Sequence, residues 1–328
     1  MITHHLRAPL AVGFACACLP LATSDAATIH FATLVVIWSI FAVAFDVVFG
    51  HTGMLSFGHA ALFGVGAYVL PLAAREWSLS FAPALVLSGV CAAALAALFG
   101  LLTARLSGIY FGLTTLALAQ LVFVLTSTRL RWLTGGDDGL IGAPRPTMPG
   151  GGVAGPVEFY GVCVALFTAT LAALAILRAS PFGQVLRAIR MNEMRAAQLG
   201  FDVARAKFWS FVVSGFFCGV AGATLTSMMS FVSPQVLHWT ASGDVLVMTV
   251  LGGAGTLLGP AAGVLVFEAL RESLSARTVL WYGIHGVIFI ACTIFLPDGI
   301  AGLWARARVG LARARGARSA PGRPRSAR

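Results

Sequence analysis

Charged residues are scarce in this chain. They make up 10% of its 328 residues, whereas hydrophobic residues make up 58%. This balance excludes an ordinary water-soluble globular protein, in which about a quarter of the residues are charged. The hydrophobic runs are long and continuous, not alternating, which excludes the strand pattern of a membrane barrel. The composition therefore predicts an all-α, polytopic membrane protein with about 8–10 membrane-spanning segments.

Lysine is almost absent, since Lys207 is the only one in the chain. No glycine-rich nucleotide-binding loop precedes it, so the sequence carries no recognisable ATPase site. Serine-hydrolase and zinc-protease signatures are absent as well. These absences predict a protein that is not an enzyme, that needs no cofactor and no metal, and whose energy is supplied from elsewhere.

The cysteines lack the spacing of a metal or redox site. No C-x-x-C pair occurs, and no histidine stands near them at ligand spacing. Each lies in or beside a hydrophobic stretch, where a thiol packs as a small apolar group. We therefore expect neither disulfides nor a metal centre at Cys16, Cys18, Cys91, Cys163, Cys218 and Cys292.

Acidic residues are missing from residues 306–328, which hold eight arginines. The formal net charge of the whole chain is +10. A basic chain can bind nucleic acid, but arginines after a last hydrophobic segment follow more simply from the positive-inside rule. We therefore predict a transmembrane domain over residues 1–304, a disordered cytoplasmic tail over residues 305–328, and no nucleic-acid partner.

Hydrophobic segments divide the rest of the chain. The stretch up to about Leu21 fits either a first span or a signal peptide. The predicted spans after it cover about 29–49, 50–70, 81–103, 105–126, 158–177, 208–231 and 279–296, with a glycine-interrupted apolar stretch at 244–270.

One charged loop, at about residues 178–207, interrupts the hydrophobic chain. Pro181 suits the first turn of a helix, because that position needs no backbone N–H. Apolar residues then recur near helical spacing until Gly200, which suits a helix end. The pattern predicts one short amphipathic helix, or a pair of them, at a membrane surface where an outside partner can move it.

Two glycine-rich stretches resemble each other, one starting at Gly50 and the other at Gly252. Close packing of glycine-rich helices explains either stretch alone, whereas paired interrupted helices are typical of a transport path near the middle of the membrane. If the second stretch folds back and crosses twice, the basic tail lies on the same side as the charged loop. The candidate path residues are Gly53, Ser56, Gly58, His59, Gly252, Gly255 and Gly259.

Six segments occur in a fixed order: GHTGMLSFGHAALFGVGAY, RLSGIYFGLTTLALAQ, LTGGDDGLIG, SPFGQVLRAIRMNEMRAAQLG, GGAGTLLGP and FLPDGIAGL. Together, over about residues 29–304, they resemble the permease subunit of branched-chain amino acid ABC importers, the LivM-like member of the permease pair. The resemblance implies a multi-pass inner-membrane permease that translocates branched-chain amino acids or a related small polar solute. It also implies four kinds of partner: a second homologous permease, ABC ATPase subunits, an extracytoplasmic substrate-binding protein and membrane lipid.

The resemblance further implies that the charged loop is a cytoplasmic coupling loop that docks on the ATPase. The residues that match the family's loop are Glu193, Ala196, Ala197 and Gly200. Met194 and Arg195 separate the glutamate from the alanines, unlike the contiguous Glu-Ala-Ala of the family. We expect the Glu193 carboxylate to meet an arginine of the ATPase.

A secondary transporter coupled to an ion gradient is the alternative. It would need ionisable groups at membrane depth, and the candidates are Asp46, His59, Asp244 and Glu268. Positions near the membrane surface explain the two aspartates equally well, and hydrogen bonds between helices explain His59 and Glu268. Dependence of uptake on ATP, not on the membrane gradient, separates the two functions.

Overall fold

The computed structural model describes residues 2–22, 25–147 and 152–275, together with residues 283, 284, 286, 287, 290 and 299–302. The α-helices in this part of the chain are α1 (Ile2–Ala17), α2 (Leu19–Ala22), α3 (Ala26–Asp46), α4 (His59–Trp77), α5 (Phe81–Thr103), α6 (Gly108–Val124), α7 (Arg131–Thr134), α8 (Pro156–Ala179), α9 (Pro181–Met191), α10 (Glu193–Gln198), α11 (Val203–Met229), α12 (Trp239–Gly252) and α13 (Gly259–Ser275). Two π-helical segments, Val47–His51 and Leu125–Arg129, continue α3 and α6, and 3₁₀ turns occupy Gly136–Asp138 and Pro234–Leu237.

Five helical segments are long and apolar enough to cross a membrane: Ala26–His51, Phe81–Thr103, Gly108–Arg129, Pro156–Ala179 and Val203–Met229. They confirm the predicted polytopic helical membrane protein. Helices α4, α12 and α13 are shorter or less apolar and pack among these spans. The last predicted span, at 279–296, lies largely outside the described residues, and the tail at 305–328 lies wholly outside them.

The N-terminal stretch packs as a helix of the bundle. Helix α1 lies against α8, where the Tyr160 hydroxyl donates to the carbonyl oxygen of Cys16 over 2.8 Å. Asp25 then caps α3 by accepting hydrogen bonds from the hydroxyl and the backbone N–H of Thr28. Because these bonds favour the carboxylate, they hold the pKa of Asp25 below its usual value.

Helix α11 forms the centre of the bundle together with α4 and α5. Glycines let α4 and α11 approach closely, because a β-carbon at Gly66 would overlap the backbone of Gly219. One turn earlier on α4, the Phe63 ring lies 4.6 Å from the Phe41 ring of α3. This packing buries the aromatic core between α3 and α4.

Both predicted helix breaks exist, and each is the tip of an antiparallel pair of helices. After α3 and its π-helical end, the chain leaves helical conformation and α4 returns along α3, with Phe45 beside His59. After α12, α13 returns in the same way, since Gly252 packs against Gly259 and Gly263 packs against Met248. The second break therefore folds back.

The described residues 299–302 return to the tip of the second pair. A β-carbon at Gly299 would overlap the backbone of Gly253. Residues 299–302 therefore lie at the end of the bundle where α9 lies, because Gly255 of the same tip contacts Arg190 of α9. The tail at 305–328 lies outside the described residues, and its location on the side of the charged loop stays a prediction.

A small two-stranded sheet lies at the other end of α11. Strand β1 (Leu140–Ile141) pairs antiparallel with β2 (Phe231–Val232), which follows α11 directly. The backbone N–H of Gly142 adds a hydrogen bond to the carbonyl oxygen of Ser230, over 3.1 Å. The glycine-rich loop after α7 is thereby fixed to the end of α11.

Candidate functional site

The charged loop folds as two short helices, α9 and α10, as the sequence predicts. A polar side chain caps the start of each of them and of α11: Ser180 accepts from the N–H of Gly183, Asn192 from that of Arg195, and Asp202 from that of Arg205. Such caps satisfy backbone donors that have no partner inside the helix. Pro181 occupies the first turn of α9, as expected.

Gly200 ends α10 through its backbone conformation. Its φ of +88° is readily adopted only by glycine. Its N–H donates to the carbonyl of Ala197 over 3.0 Å, and the N–H of Phe201 donates to that of Ala196 over 3.3 Å. These two bonds form a Schellman motif. A β-carbon at Gly200 would have no described atom within 4 Å, so this turn faces open space.

The surface of the two helices is apolar as well as basic. Met191 is 86% exposed, Met194 73% and Leu199 70%. The sequence pattern alone does not indicate which of these residues are exposed, but exposed apolar side chains in a polar loop are typical of a protein-binding surface. Of the four loop residues carried over from the family, Ala197 and Gly200 are exposed and Glu193 is half-buried, whereas Ala196 is buried and faces the bundle.

Glu193 has a partner inside the chain. Its Oε1 lies 2.5 Å from Nζ of Lys207, which also donates to the carbonyl oxygen of Leu106 over 3.1 Å. The Lys207 side chain is only 2% exposed. The single lysine therefore fixes α10 to α11 and to the connection between α5 and α6, and the Glu193 carboxylate is engaged without an arginine from another subunit.

The two helix breaks meet next to α9. Arg190 of α9 donates a hydrogen bond from Nη1 to the carbonyl oxygen of Gly50. A β-carbon at Gly53 would lie 3.2 Å from the Arg190 Cγ, and a β-carbon at Gly255 would overlap its guanidinium. We call Gly50, Gly53 and Gly255 the glycine junction. The structure thus brings together two of the predicted path residues, Gly53 and Gly255.

Asp46 connects the two breaks. Its Oδ1 accepts a hydrogen bond from the N–H of Gly255 over 2.8 Å, and its Oδ2 lies 3.3 Å from Nδ1 of His51. Helix α3 spans 21 residues before this point, which is about 31 Å and enough to cross the apolar core of a bilayer. The glycine junction therefore lies at the α9 end of the bundle, not halfway along it as the paired breaks suggested.

His59 lies deeper, in a hydrogen-bond network that fixes its tautomer. Ser214 of α11 donates to the carbonyl oxygen of Ala44 over 2.7 Å, so it accepts from Nε2–H of His59 over 3.0 Å. The other ring nitrogen, Nδ1, then accepts from the hydroxyl of Ser56 over 3.0 Å. Because His59 is fully buried and both nitrogens are satisfied, this network holds a neutral imidazole between helices.

Other helices satisfy the backbone of the first break. The Ser242 hydroxyl of α12 accepts from the N–H of Ala60 and donates to the carbonyl of Phe57. The Thr115 hydroxyl of α6 accepts from the N–H of Phe57, and the same residue packs against Gly58. Non-helical backbone inside a membrane protein needs such internal partners. Ser56, Gly58 and His59 thus lie where α4, α6, α11 and α12 meet.

Gly252 and Gly259 have a different environment from Gly255. A β-carbon at Gly252 would overlap the carbonyl oxygen of Gly259, so these two residues bring α12 and α13 into contact. The Thr256 hydroxyl bridges the tip, accepting from the N–H of Gly259 and donating to the carbonyl of Gly253. Close helix packing accounts for Gly252 and Gly259.

The ionisable groups proposed for ion coupling are paired within the chain. Asp46 and His59 have the partners given above, and Oε1 of the buried Glu268 lies 3.4 Å from Nη1 of Arg271. The half-buried Asp244 interacts electrostatically with the same arginine. Across residues 2–275 as far as they are described, no group of three or more His, Cys, Asp or Glu side chains is placed to hold a metal ion.

Comparison with known proteins places this arrangement in a family. The model of the branched-chain amino acid transport system permease component matches residues 27–293. The chain is 28% identical to the high-affinity branched-chain amino acid permease protein LivM of Escherichia coli, over 83% of this chain and 69% of that protein. It is 22% identical to LivH of Salmonella typhimurium, over 81% of this chain and 91% of the relative.

Sugar permeases match over shorter stretches. The ribose import permease protein RbsC of Bacillus subtilis is 31% identical over 36% of this chain and 39% of its own length. No solved structure matches the chain. The family match covers most of the helical bundle, including the charged loop and both breaks. The chain therefore belongs to the family of branched-chain amino acid permease components, and it is a multi-pass inner-membrane permease subunit of an ABC importer.

Proposed function

We propose that this permease translocates branched-chain amino acids or a related small polar solute, driven by separate ABC ATPase subunits that dock on α9 and α10. A second homologous permease completes the membrane pore, and an extracytoplasmic binding protein delivers the solute to the opposite face. Lipid surrounds the bundle. In this proposal the chain has no nucleotide-binding site of its own.

One observation carries the docking part of the proposal. The helices α9 and α10 expose Met191, Met194 and Leu199 at one end of the bundle, while Arg190 of α9 contacts both helix breaks. An exposed apolar surface on capped helices suits a protein partner. A partner that moves this surface also moves α9, which contacts both helix breaks. Such a connection is needed if separate ATPase subunits supply the energy for transport.

The extent of the matches favours amino acids over sugars as solutes. The two relatives named for branched-chain amino acids match over about four fifths of this chain, whereas the ribose permease matches over 36% of it. The internal partners of Asp46, His59 and Glu268 favour ATP-driven transport over coupling to a proton gradient.

Reconstitution tests the proposal. The chain is incorporated into liposomes with its partner permease and ATPase subunits, and uptake of labelled leucine is measured with binding protein and ATP. We expect uptake that requires ATP, that excess isoleucine inhibits and that excess ribose leaves unchanged. Inhibition by ribose but not by isoleucine would contradict the proposal that the solute is a branched-chain amino acid. ATP hydrolysis by the purified chain alone would contradict the proposal that this chain has no nucleotide-binding site.

A further inference from the structure

We propose that Arg190 is the positioning residue through which movement of α9 and α10 reaches both helix breaks at the same time. This inference rests on the proposed function, in which ATPase subunits move these two helices. It adds the specific side chain that carries the movement and the two backbone segments that receive it.

The side chain of Arg190 lies across the glycine junction. Its guanidinium donates to the carbonyl oxygen of Gly50 in the first break and contacts Gly255 in the second, while its Cγ faces Gly53. Gly50 stands 140 residues before Arg190 in the chain. One side chain of α9, apart from the exposed Met191, Met194 and Leu199, therefore contacts both tips, and a displacement of α9 acts on both.

The junction needs glycine because the two breaks and two side chains meet there. A β-carbon at Gly50 would overlap the Asp46 carboxylate and the backbone nitrogen of Gly255. A β-carbon at Gly255 would overlap the Arg190 guanidinium. The approach of Arg190 thus explains glycine at position 255, and the approach of Asp46 and of the second break explains glycine at position 50.

The carbonyl oxygen of Gly50 depends on Arg190 for its hydrogen bond. It belongs to the π-helical segment that ends at His51, and the last carbonyls of a helix have no partner within the helix. Arginine suits such a carbonyl because it is always charged, carries five donors and interacts favourably with the negative end of the helix dipole. Moving Arg190 away would leave a buried acceptor unpaired, so the break is expected to follow the side chain.

Helix α9 is built to move as a unit. Ser180 caps its start, and Leu186 and Ile189 bury its apolar face. Asp46 in turn links the second break to the end of α3 through the N–H of Gly255.

The test compares Arg190→Ala with Arg187→Ala in the reconstituted transporter. Arg187 is a matched control, since it lies one turn away on α9 and also donates to a backbone carbonyl, that of Arg178, over 3.1 Å. Unlike Arg190, it is not among the nearest neighbours of Gly50, Gly53 or Gly255. Solute transported per ATP hydrolysed is measured together with the amount of ATPase that co-purifies. We expect Arg190→Ala to keep ATPase binding and basal hydrolysis while transport per ATP falls about tenfold or more.

A second readout detects transmission directly. In a background without native cysteines, the modification rate of a cysteine at Ala254, in the tip of the second break, is measured with and without ATP. We expect a nucleotide-dependent rate in the wild type and in Arg187→Ala, and a nucleotide-independent rate in Arg190→Ala. Arg190→Lys keeps the positive charge and can still donate a hydrogen bond, although it lacks the planar guanidinium. It should therefore restore part of the transport per ATP and part of the nucleotide dependence.

Two outcomes would overturn the proposal. The first is Arg190→Ala with wild-type transport per ATP and a nucleotide-dependent rate at Ala254. The second is a loss of transport that merely follows a loss of membrane abundance in both Arg190→Ala and Arg190→Lys, because Arg190 would then be a structural residue only. Failure of the proposed function looks different, since the wild type itself would show no ATP-driven uptake or no bound ATPase.

Discussion

The ammonium of Lys207 lies 2.5 Å from the carboxylate of Glu193, in an ion pair whose lysine is 2% exposed and whose glutamate is 43% exposed. Removing the acidic partner leaves a buried ammonium uncompensated, which is strongly destabilising. We expect Glu193→Lys, which adds a second ammonium, to lower the melting temperature of the purified chain and its abundance in the membrane. The free-energy cost should be about 1–3 kcal/mol, reduced from that of a fully buried pair because Glu193 reaches solvent.

A double variant and a surface pair serve as controls. Glu193→Gln combined with Lys207→Met should recover part of the stability lost in Glu193→Gln alone, because both charges are then absent. Glu76→Gln removes the exposed partner of Arg75 and should change the melting temperature little. A wild-type melting temperature for Glu193→Lys would show that the ion pair does not hold α10 in place.

The turn at Gly200 leads to a prediction about docking. Valine at a φ of +88° is strained by roughly 1–3 kcal/mol, and its β-carbon projects into the open space where the ATPase would dock. We expect Gly200→Val to abolish ATP-driven uptake while membrane abundance stays near that of the wild type. Uptake and abundance are measured on the same cells.

Gly142 offers a matched control at the opposite end of α11. Its φ of +93° is equally unfavourable for valine, and a β-carbon there would also have no described atom within 4 Å. Gly142→Val should therefore carry similar backbone strain but keep uptake close to normal. Equal loss of uptake in both variants would attribute the effect to strain and not to docking.

The placement of Gly299 beside Gly253 leads to a prediction about membrane sides. In a background without native cysteines, single cysteines at Gln184 in α9 and at Ser319 in the tail should both resist an impermeant reagent in intact cells. A cysteine at Asp137, near the β1–β2 sheet, should react. Reaction of only one of the first two positions would contradict a tail that shares the side of the charged loop.

The hydroxyl of Ser242 makes two hydrogen bonds to the backbone of the first break. Ser242→Ala would leave the buried N–H of Ala60 unpaired, at a cost of about 1–3 kcal/mol, and would also remove the bond to the half-buried carbonyl of Phe57. We expect a clearly lower melting temperature in detergent. Ser273→Ala, which removes an exposed hydroxyl bonded to the carbonyl of Leu270, is the control and should be almost neutral. Equal melting temperatures would mean that water replaces the Ser242 bonds.

Local sequence signals predicted much of the fold. Pro181 and Gly200 marked the limits of the charged loop's helices because each restricts the backbone at its own position. The span predicted at about 81–103 is the helix Phe81–Thr103, since a long apolar run with charged or polar ends needs no tertiary information. The two breaks were also predicted, because glycine disfavours helix regardless of its neighbours.

Long-range contacts could not be predicted from the same signals. The bond between Arg190 and Gly50 joins residues 140 positions apart, and no local pattern encodes it. Likewise, Ala196 faces the bundle and Ala197 does not, which depends on where α11 passes α10. The sequence also did not reveal that α3 extends through all of its 21 residues before the glycine junction.

Helix α11 begins at its cap Asp202, next to the docking helices, and ends at Ser230, beside the β1–β2 sheet. With 27 residues it is a rod of about 40 Å. If such a rod pivots about Gly219, which brings it against α4, its ends swing in opposite directions. A tilt of roughly 5° then displaces the end at the docking helices by about 2 Å and the end at the β1–β2 sheet by about 1 Å. Any movement of α11 at the docking helices would then displace the β1–β2 sheet in the opposite direction. The rigid helix alone would transmit this movement, without a series of side-chain contacts between the two ends.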